Sequence, residues 1–265
     1  MPSKERENKK GQGVILQSVD RALELIAILA RNPAPMSVAE ISQVLDIPRT
    51  TAYGLTNTLL LHDFIEKDPL TNKFIIGWKF LELGGHNRYR AKVTIIQKEA
   101  EPLIREWDLS VHAGTITRQG NVLFILVIPP ITPSFTSPPE GFTIPAHATG
   151  IGKVLLAFMP EDDTGEFLAP DRLQKMTRNT ITDPSDMLRE LSAIRAAGYA
   201  VDREEAAEGI SCVAAPIRDY SGRVTAAVSI SGPASRIREN EDDLIRAITA
   251  MSGRISRSLG WSPDV

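Results

Sequence analysis

The sequence predicts an α+β protein in two parts: an N-terminal winged helix-turn-helix, then a larger domain built on one central sheet. Two observations predict it. Three amphipathic helical stretches and a short hairpin fall within residues 14–77, and helices mixed with antiparallel hairpins fill residues 93–265.

Residues 1–13 are charged and poor in apolar anchors, which reads as a disordered tail. Val19, Ala22, Leu23, Ile26, Leu29 and Ala30 then recur at helical spacing, and Asn32-Pro33-Ala34-Pro35 ends that helix. Ser37-Val38-Ala39-Glu40 is a capping box that opens a second helix with Ile41, Val44 and Leu45 on its core face. Asp46-Ile47-Pro48 leads directly into a third, with Pro48 at its first position and Ala52, Leu55 and Leu59 as its buried stripe. Phe64–Lys67 and Lys73–Ile76 form a hairpin around Asp68-Pro69-Leu70-Thr71-Asn72. Residues 78–92, helical up to Gly84-Gly85 and then polar and basic, read as a linker.

A long helix from Val93 to Trp107 opens the second domain, followed by strands at Ala113–Arg118 and Val122–Ile128. Residues 129–145, rich in Pro, Ser and Thr, read as an irregular loop bordering a site. Helices follow at Gly152–Met159 and Asp186–Ala197, and Asn240–Leu259 closes the chain. Between them, Gly198–Arg236 reads as two strands joined by a turn. In Val224–Ser231, Val224, Ala226, Val228 and Ile230 take one face, and Thr225, Ala227, Ser229 and Ser231 the other. A sheet face of small hydroxyl side chains suits a small polar ligand, or else simply solvent.

Composition narrows the function classes. Apolar residues make up 42% and the net charge is −3, which fits a globular chain without an overall basic coat. Residues 1–90 carry 12 Lys/Arg against 10 Asp/Glu, a slightly basic front on an acidic body. Cys212 is the lone cysteine, so an intrachain disulfide is excluded and a reducing cytoplasm is expected. No apolar run is long enough to cross a bilayer, so no membrane partner is expected. The four histidines show no ligand spacing, and neither a metal nor a cofactor is implied.

Three constellations carry chemistry. Arg49, Thr50, Thr51, Tyr53 and Asn57 project from the third helix, which fits the major groove of double-stranded DNA. That helix has one Arg, so Lys67, Lys73 and the tail are expected to supply phosphate contacts. His147-Ala148-Thr149-Gly150-Ile151-Gly152-Lys153 offers a helix start capped by Thr149, with glycines that let an anion approach free N–H groups. Asp202, Cys212, Ser229 and Ser231 form the third. Cys212 with His147 and Asp202 allows a nucleophilic alternative, an enzyme acting on a small carboxylate.

Together these segments resemble the IclR-type family of bacterial transcriptional regulators. SVDRALELIAILA and MSVAEISQVLDIPRTTAYGLTNTLLLHDFIEKD are similar to its winged helix-turn-helix; HATGIGKVLLA and GYAVDREEAAEGISCVAAPIRDYSGRVTAAVSISGP are similar to its effector-domain signatures. The resemblance implies a GAF-like effector-binding domain joined by a helical linker, and a homodimer or homotetramer on palindromic operator DNA. Carried over by position, the effector pocket would comprise Ile144, Gly150, Ile151, Asp202, Cys212, Ser229 and Ser231, taking a small organic acid. One departure stands out. Gly54 follows Tyr53 where the family often has Arg, which removes a DNA contact and leaves open a ligand-binding module that no longer binds DNA.

Overall fold

The computed structural model describes residues 15–262 apart from 33, 86–88 and 133–136, so the expected tail lies outside it. The chain divides into two compact units after Arg88. The first contains α1 (Gln17–Arg31), α2 (Val38–Val44), α3 (Arg49–Leu61), the hairpin β1 (Ile65–Lys67) and β2 (Phe74–Ile76), and α4 (Lys79–Gly85). The second begins with α5 (Tyr89–Trp107); of the expected linker, residues 79–85 lie in α4 and 89–92 in the first turn of α5, and 86–88 lie outside the described residues.

Local chemistry explains the first unit. Ser37 caps α2 through the reciprocal bond pair with Glu40. Asp46 takes a left-handed backbone (φ 49°), a conformation Asp tolerates, and Ser42 Oγ donates to Ile47 O (2.6 Å) to close the tight turn. Pro48 stands at the cap of α3, one position earlier than expected, with Arg49 first in the helix. Asp68 Oδ1 accepts from the Leu70 and Thr71 N–H groups, which sets the hairpin turn. The core is Leu25, Leu29, Met36, Ile41, Ile47, Ala52, Leu59, Ile65 and Phe74.

Two expected core faces are corrected. On α1 the stripe that packs inward is Ala22, Leu25, Ile26 and Leu29; Val19 and Leu23, with Leu16, form a second apolar stripe that stays exposed. On α2, Val44 is exposed too. Helical spacing alone permitted either stripe, and the neighbours decide which is covered.

In the second unit, β3 (Ser110–Ile116), β4 (Asn121–Ile128) and β5 (Thr143–Pro145) precede a 3₁₀ turn (Ala146–Ala148) and α6 (Gly150–Ala157). Next come α7 (Glu161–Phe167), α8 (Pro184–Ala197), β6 (Ala200–Arg203), β7 (Ile210–Arg218), β8 (Val224–Pro233), α9 (Ala234–Glu239) and α10 (Glu241–Ser258). Gly198–Arg236 therefore holds three strands and the start of a helix where two strands were expected. The proline-rich segment ends in β5, an edge strand, where a proline costs no central ladder bond.

The sheet runs β5-β4-β3-β8-β7-β6, every pair antiparallel. One face packs on α5, α9 and α10 through Val111, Val213, Ile217, Val228 and Ile230 against Ile96, Leu103, Leu244, Ile248 and Met251. The other face receives α6 and α8. Helix α6 lies close to the sheet because the contact residues are small. A Cβ on Gly114 of β3 would sit 3.2 Å from an Ile151 methyl, and one on Gly150 would sit 3.2 Å from the Ala214 methyl of β7.

Candidate effector cavity and nucleic-acid face

Strand register assembles the site. Paired residues on adjacent strands share a face, so Asp202 (β6), Cys212 (β7), Ser231 (β8) and Ser110 (β3) form one row across the sheet. The next row is Ala200, Ala214, Ser229 and His112. Above these rows opens a half-open cavity of about 360 Å³. Asp202, Cys212, Ser229, Ser231 and His112 line it with Thr149 and Ile151 from the start of α6; Phe124, Phe142, Ile144, Pro138 and Pro139 close the far side.

The helix start is arranged for an anion. Thr149 Oγ1 accepts from the Gly152 N–H (2.9 Å) and Thr149 O from the Lys153 N–H (2.8 Å). The Gly150 N–H reaches the Cys212 sulfur, and the Ile151 N–H has no partner among the described residues. A Cβ on Gly150 would stand 2.7 Å from Cys212 Sγ, so only glycine lets the helix start come down onto this row.

The charges beside the cavity are tightly held. Asp202 is buried and its Oδ1 accepts from the Glu205 N–H (2.7 Å). Burial pushes its carboxyl up to about 7, reinforced by the Glu205 charge and opposed by backbone N–H bonds and by Lys153. Lys153, fully buried in α6, donates to Glu205 Oε1 (2.6 Å), Glu190 Oε1 (2.9 Å) and Val201 O (2.8 Å). Burial works against its ammonium, but the charges of Glu205 and Glu190 outweigh it and hold its pKa above the ordinary value. All three ammonium protons are thereby used, and the segment after β6 is tied to α6 and α8. Burial, then the Asp202 charge, pushes the Cys212 thiol far above its usual range, so it is a neutral thiol at pH 7.

In the first unit, Arg49, Thr50, Tyr53 and Asn57 are exposed along α3 and Thr51 is half-buried. Lys67 is exposed and lies over the Phe74 ring (5.9 Å). Lys73, also expected as a phosphate contact, is paired with Glu40 Oε1 at 3.1 Å. The same Glu40 carboxylate closes the capping box, and its bonds to Ser37 and Lys73 pull it down to about 2. A Cβ on Gly54 would meet nothing within 4 Å.

Residues 91–257 match the family described as bacterial transcriptional regulator IclR C-terminal, and residues 18–69 match the IclR helix-turn-helix domain. The chain belongs to the IclR family of bacterial transcriptional regulators. It is 30% identical to the HTH-type transcriptional regulator XynR of Escherichia coli, over 93% of this chain and 98% of that one. It is 32% identical to the HTH-type transcriptional repressor AllR of Klebsiella pneumoniae, over 94% of this chain and 92% of that protein. The fold matches an IclR homologue from Microbacterium hydrocarbonoxydans crystallised with 4-hydroxybenzoate, with a TM-score of 0.81 at 19% identity, over 91% of this chain and 98% of that one.

This IclR chain is therefore a transcriptional regulator with a DNA-binding helix-turn-helix and a C-terminal effector domain. Of the residues expected around the effector, Ile144, Ile151, Asp202, Cys212, Ser229 and Ser231 line the cavity; Gly150 lies beneath it, against Cys212. The nucleophilic alternative does not assemble. His147 Nε2 bonds Gln174 O (2.9 Å) and lines a different cavity, with Arg172 and Asn121. The sequence reading missed His112, Phe124 and Phe142. The first was set aside as a lone histidine, although its place two residues before Gly114 on β3 matches the period-two alternation that exposed Ser229 and Ser231.

Proposed function

We propose that this regulator is a cytoplasmic repressor that binds palindromic double-stranded operator DNA as a homodimer or homotetramer, and that a small organic acid in the cavity controls its operator affinity. The observation that carries the reading is the polar floor of Asp202, Cys212, Ser229 and Ser231 lying under the start of α6, where the Ile151 N–H has no partner among the described residues. Hydroxyls, an unpaired amide and a helix dipole converge there without a fixed cation, which suits one carboxylate. The repressor role of the AllR relatives and the 4-hydroxybenzoate bound by the Microbacterium homologue support the same direction.

The exposed residues Arg49, Thr50, Tyr53 and Asn57, with Thr51, read base edges from α3, and Lys67 adds a phosphate contact; Lys73, committed to Glu40, adds less. The exposed stripe of Leu16, Val19 and Leu23, and exposed Trp78 and Leu81, supply apolar surface for a second copy. Control works by linkage. An acid that binds one arrangement of the oligomer better than another shifts the spacing of two α3 helices, with residues 78–92 as the transmitting segment. No turnover is expected, because the Cys212 thiol has neither a base nor a lowered pKa.

The test is a gel-shift titration with operator DNA and a panel of aliphatic and aromatic carboxylates. The Ser229→Ala/Ser231→Ala variant retains DNA binding and loses the response to acid, whereas Arg49→Ala weakens operator binding with or without acid. Equal loss of both properties in the serine variant, or an unchanged footprint for Arg49→Ala, contradicts the reading.

A further inference from the structure

We infer that His112 selects the effector: a carboxylate held at the start of α6 must carry an extended apolar body whose far end presents an uncharged hydrogen-bonding group to the His112 ring. This deepens the reading above and rests on it. The cavity is not uniform. Its polar groups gather under α6, and beyond Ser229 the lining becomes Phe124, Phe142, Ile144, Pro138 and Pro139. Two polar side chains stand in that half: Ser137, whose hydroxyl bonds Ser110 Oγ (2.9 Å), and His112. His112 Nε2 is buried and has no hydrogen-bond partner among the described residues, although buried ring nitrogens are ordinarily bonded.

The ring is also held in place. His112 is paired with Ser229 in the β3–β8 register and meets Phe124 edge-on at 5.6 Å between ring centres. Burial keeps the imidazole neutral at pH 7, so it offers a dipole and not a charge. A second carboxylate or an ammonium on the ligand would find no counter-charge there, whereas a hydroxyl or carbonyl would complete the ring's hydrogen bonding whichever tautomer is present.

Size and reach point the same way. The start of α6 stands over Cys212 and Ala214 of β7, two strand steps from His112, roughly 10 Å between backbones at normal inter-strand spacing. A two- or three-carbon acid seated at α6 cannot span that floor and leaves most of the 360 Å³ unfilled. A six-membered ring or a chain of similar length fills the apolar half and reaches the imidazole.

The experiment is calorimetric titration of the full chain with three probes: propionate, phenylacetate and 4-hydroxyphenylacetate. In the unmodified protein, phenylacetate binds more tightly than propionate, and the hydroxyl improves affinity about tenfold further, as a hydrogen bond to a buried neutral group does. In His112→Phe the hydroxyl's advantage disappears while phenylacetate stays within about threefold. His112→Gln, which keeps an amide near the same place, restores part of it and serves if the Phe variant does not fold. Equal affinity for propionate and phenylacetate, or a hydroxyl advantage that survives in both variants, overturns the inference. If propionate still binds, and weakens in Ser229→Ala/Ser231→Ala, the carboxylate site stands without it. If none of the acids binds or changes operator retention, both readings fall.

Discussion

Strands β7 and β8 send alternate residues to two faces with opposite outcomes. Val213, Ala215, Ile217, Val228 and Ile230 enter a dry core that α5 and α10 fill completely. Cys212, Ala214, Ser229 and Ser231, one position away along the same strands, face a layer that α6 covers only in part. The difference is side-chain volume and polarity. A large apolar residue on a sheet face draws a helix down to native packing density; a run of Ala, Ser and Cys leaves room that no residue of α6 fills. A binding cavity can therefore arise from what a strand omits, while its other face supplies the stability that pays for the gap.

The largest expected effect tests the dry face. Ile230→Ala removes a fully buried side chain from the layer between β8 and the helices, and costs about 2–5 kcal/mol in the unfolding transition of the second unit. Urea denaturation measures it. A loss below about 1 kcal/mol would show that the two faces are not as different as their lining.

A second variant tests how α6 meets the other face. Gly150→Ala places a Cβ 2.7 Å from Cys212 Sγ and 3.2 Å from the Ala214 methyl, and costs about 1–3 kcal/mol by overpacking together with the response to acid. Adding Cys212→Ala removes the nearest atom and restores most of both. Without that restoration in a double-mutant cycle, the close approach of helix and strand is not what holds the site.

Much of this was legible in the chain itself, and the residues say why. Alternation gave both faces of β8 from Ala226 to Ser231, and Ser37 with Glu40 gave the start of α2, because each signal lies within a few consecutive positions. At the bulge opposite Ile217/Arg218 the alternation fails, and Val224 packs with the α6 side while Thr225 Oγ1 accepts from Lys92 of α5. His112, Phe124 and Phe142 come from three separate segments and reach the cavity only through register, which no local window contains. The exposed Val19 and Leu23 show the complementary failure. Their spacing was as helical as that of the residues α1 buries, and only the partner elements separate the two stripes.

Protonation sharpens the comparison further, because the polar face alone carries a group that titrates near neutrality. The Asp202 carboxyl moves from 3.8 in the unfolded chain to about 7 in the fold. Its contribution to stability is complete below pH 4 and is lost as pH rises to 7, since the fold retains a proton the unfolded chain has released. The charged and titratable groups around it are Lys153 from α6, Glu205 on the following segment, Cys212 on β7 and, through Lys153, Glu190 on α8. Asp202→Asn flattens stability between pH 5 and 8. It also flattens the rise in affinity for phenylacetate expected as pH falls from 8 to 6, when the neutral acid stops repelling the ligand. A pH profile unchanged by the substitution would assign the titration to another member of the cluster.

The smallest effect on stability is the most telling about the cavity. Ser229 is buried, yet its hydroxyl has no hydrogen-bond partner among the described residues and lines the open niche. Truncating a hydroxyl that bonds nothing in the free protein removes little, so Ser229→Ala should unfold within about 0.5 kcal/mol of the unmodified chain. The same change removes a donor from the floor beneath a bound carboxylate and weakens acid binding about tenfold. On the opposite face, the neighbouring Ile230 shows the reverse pattern, a large stability loss arising from packing alone. A Ser229→Ala variant that loses stability but keeps its affinity for acid would make Ser229 an ordinary core residue and remove the functional contrast between the two faces.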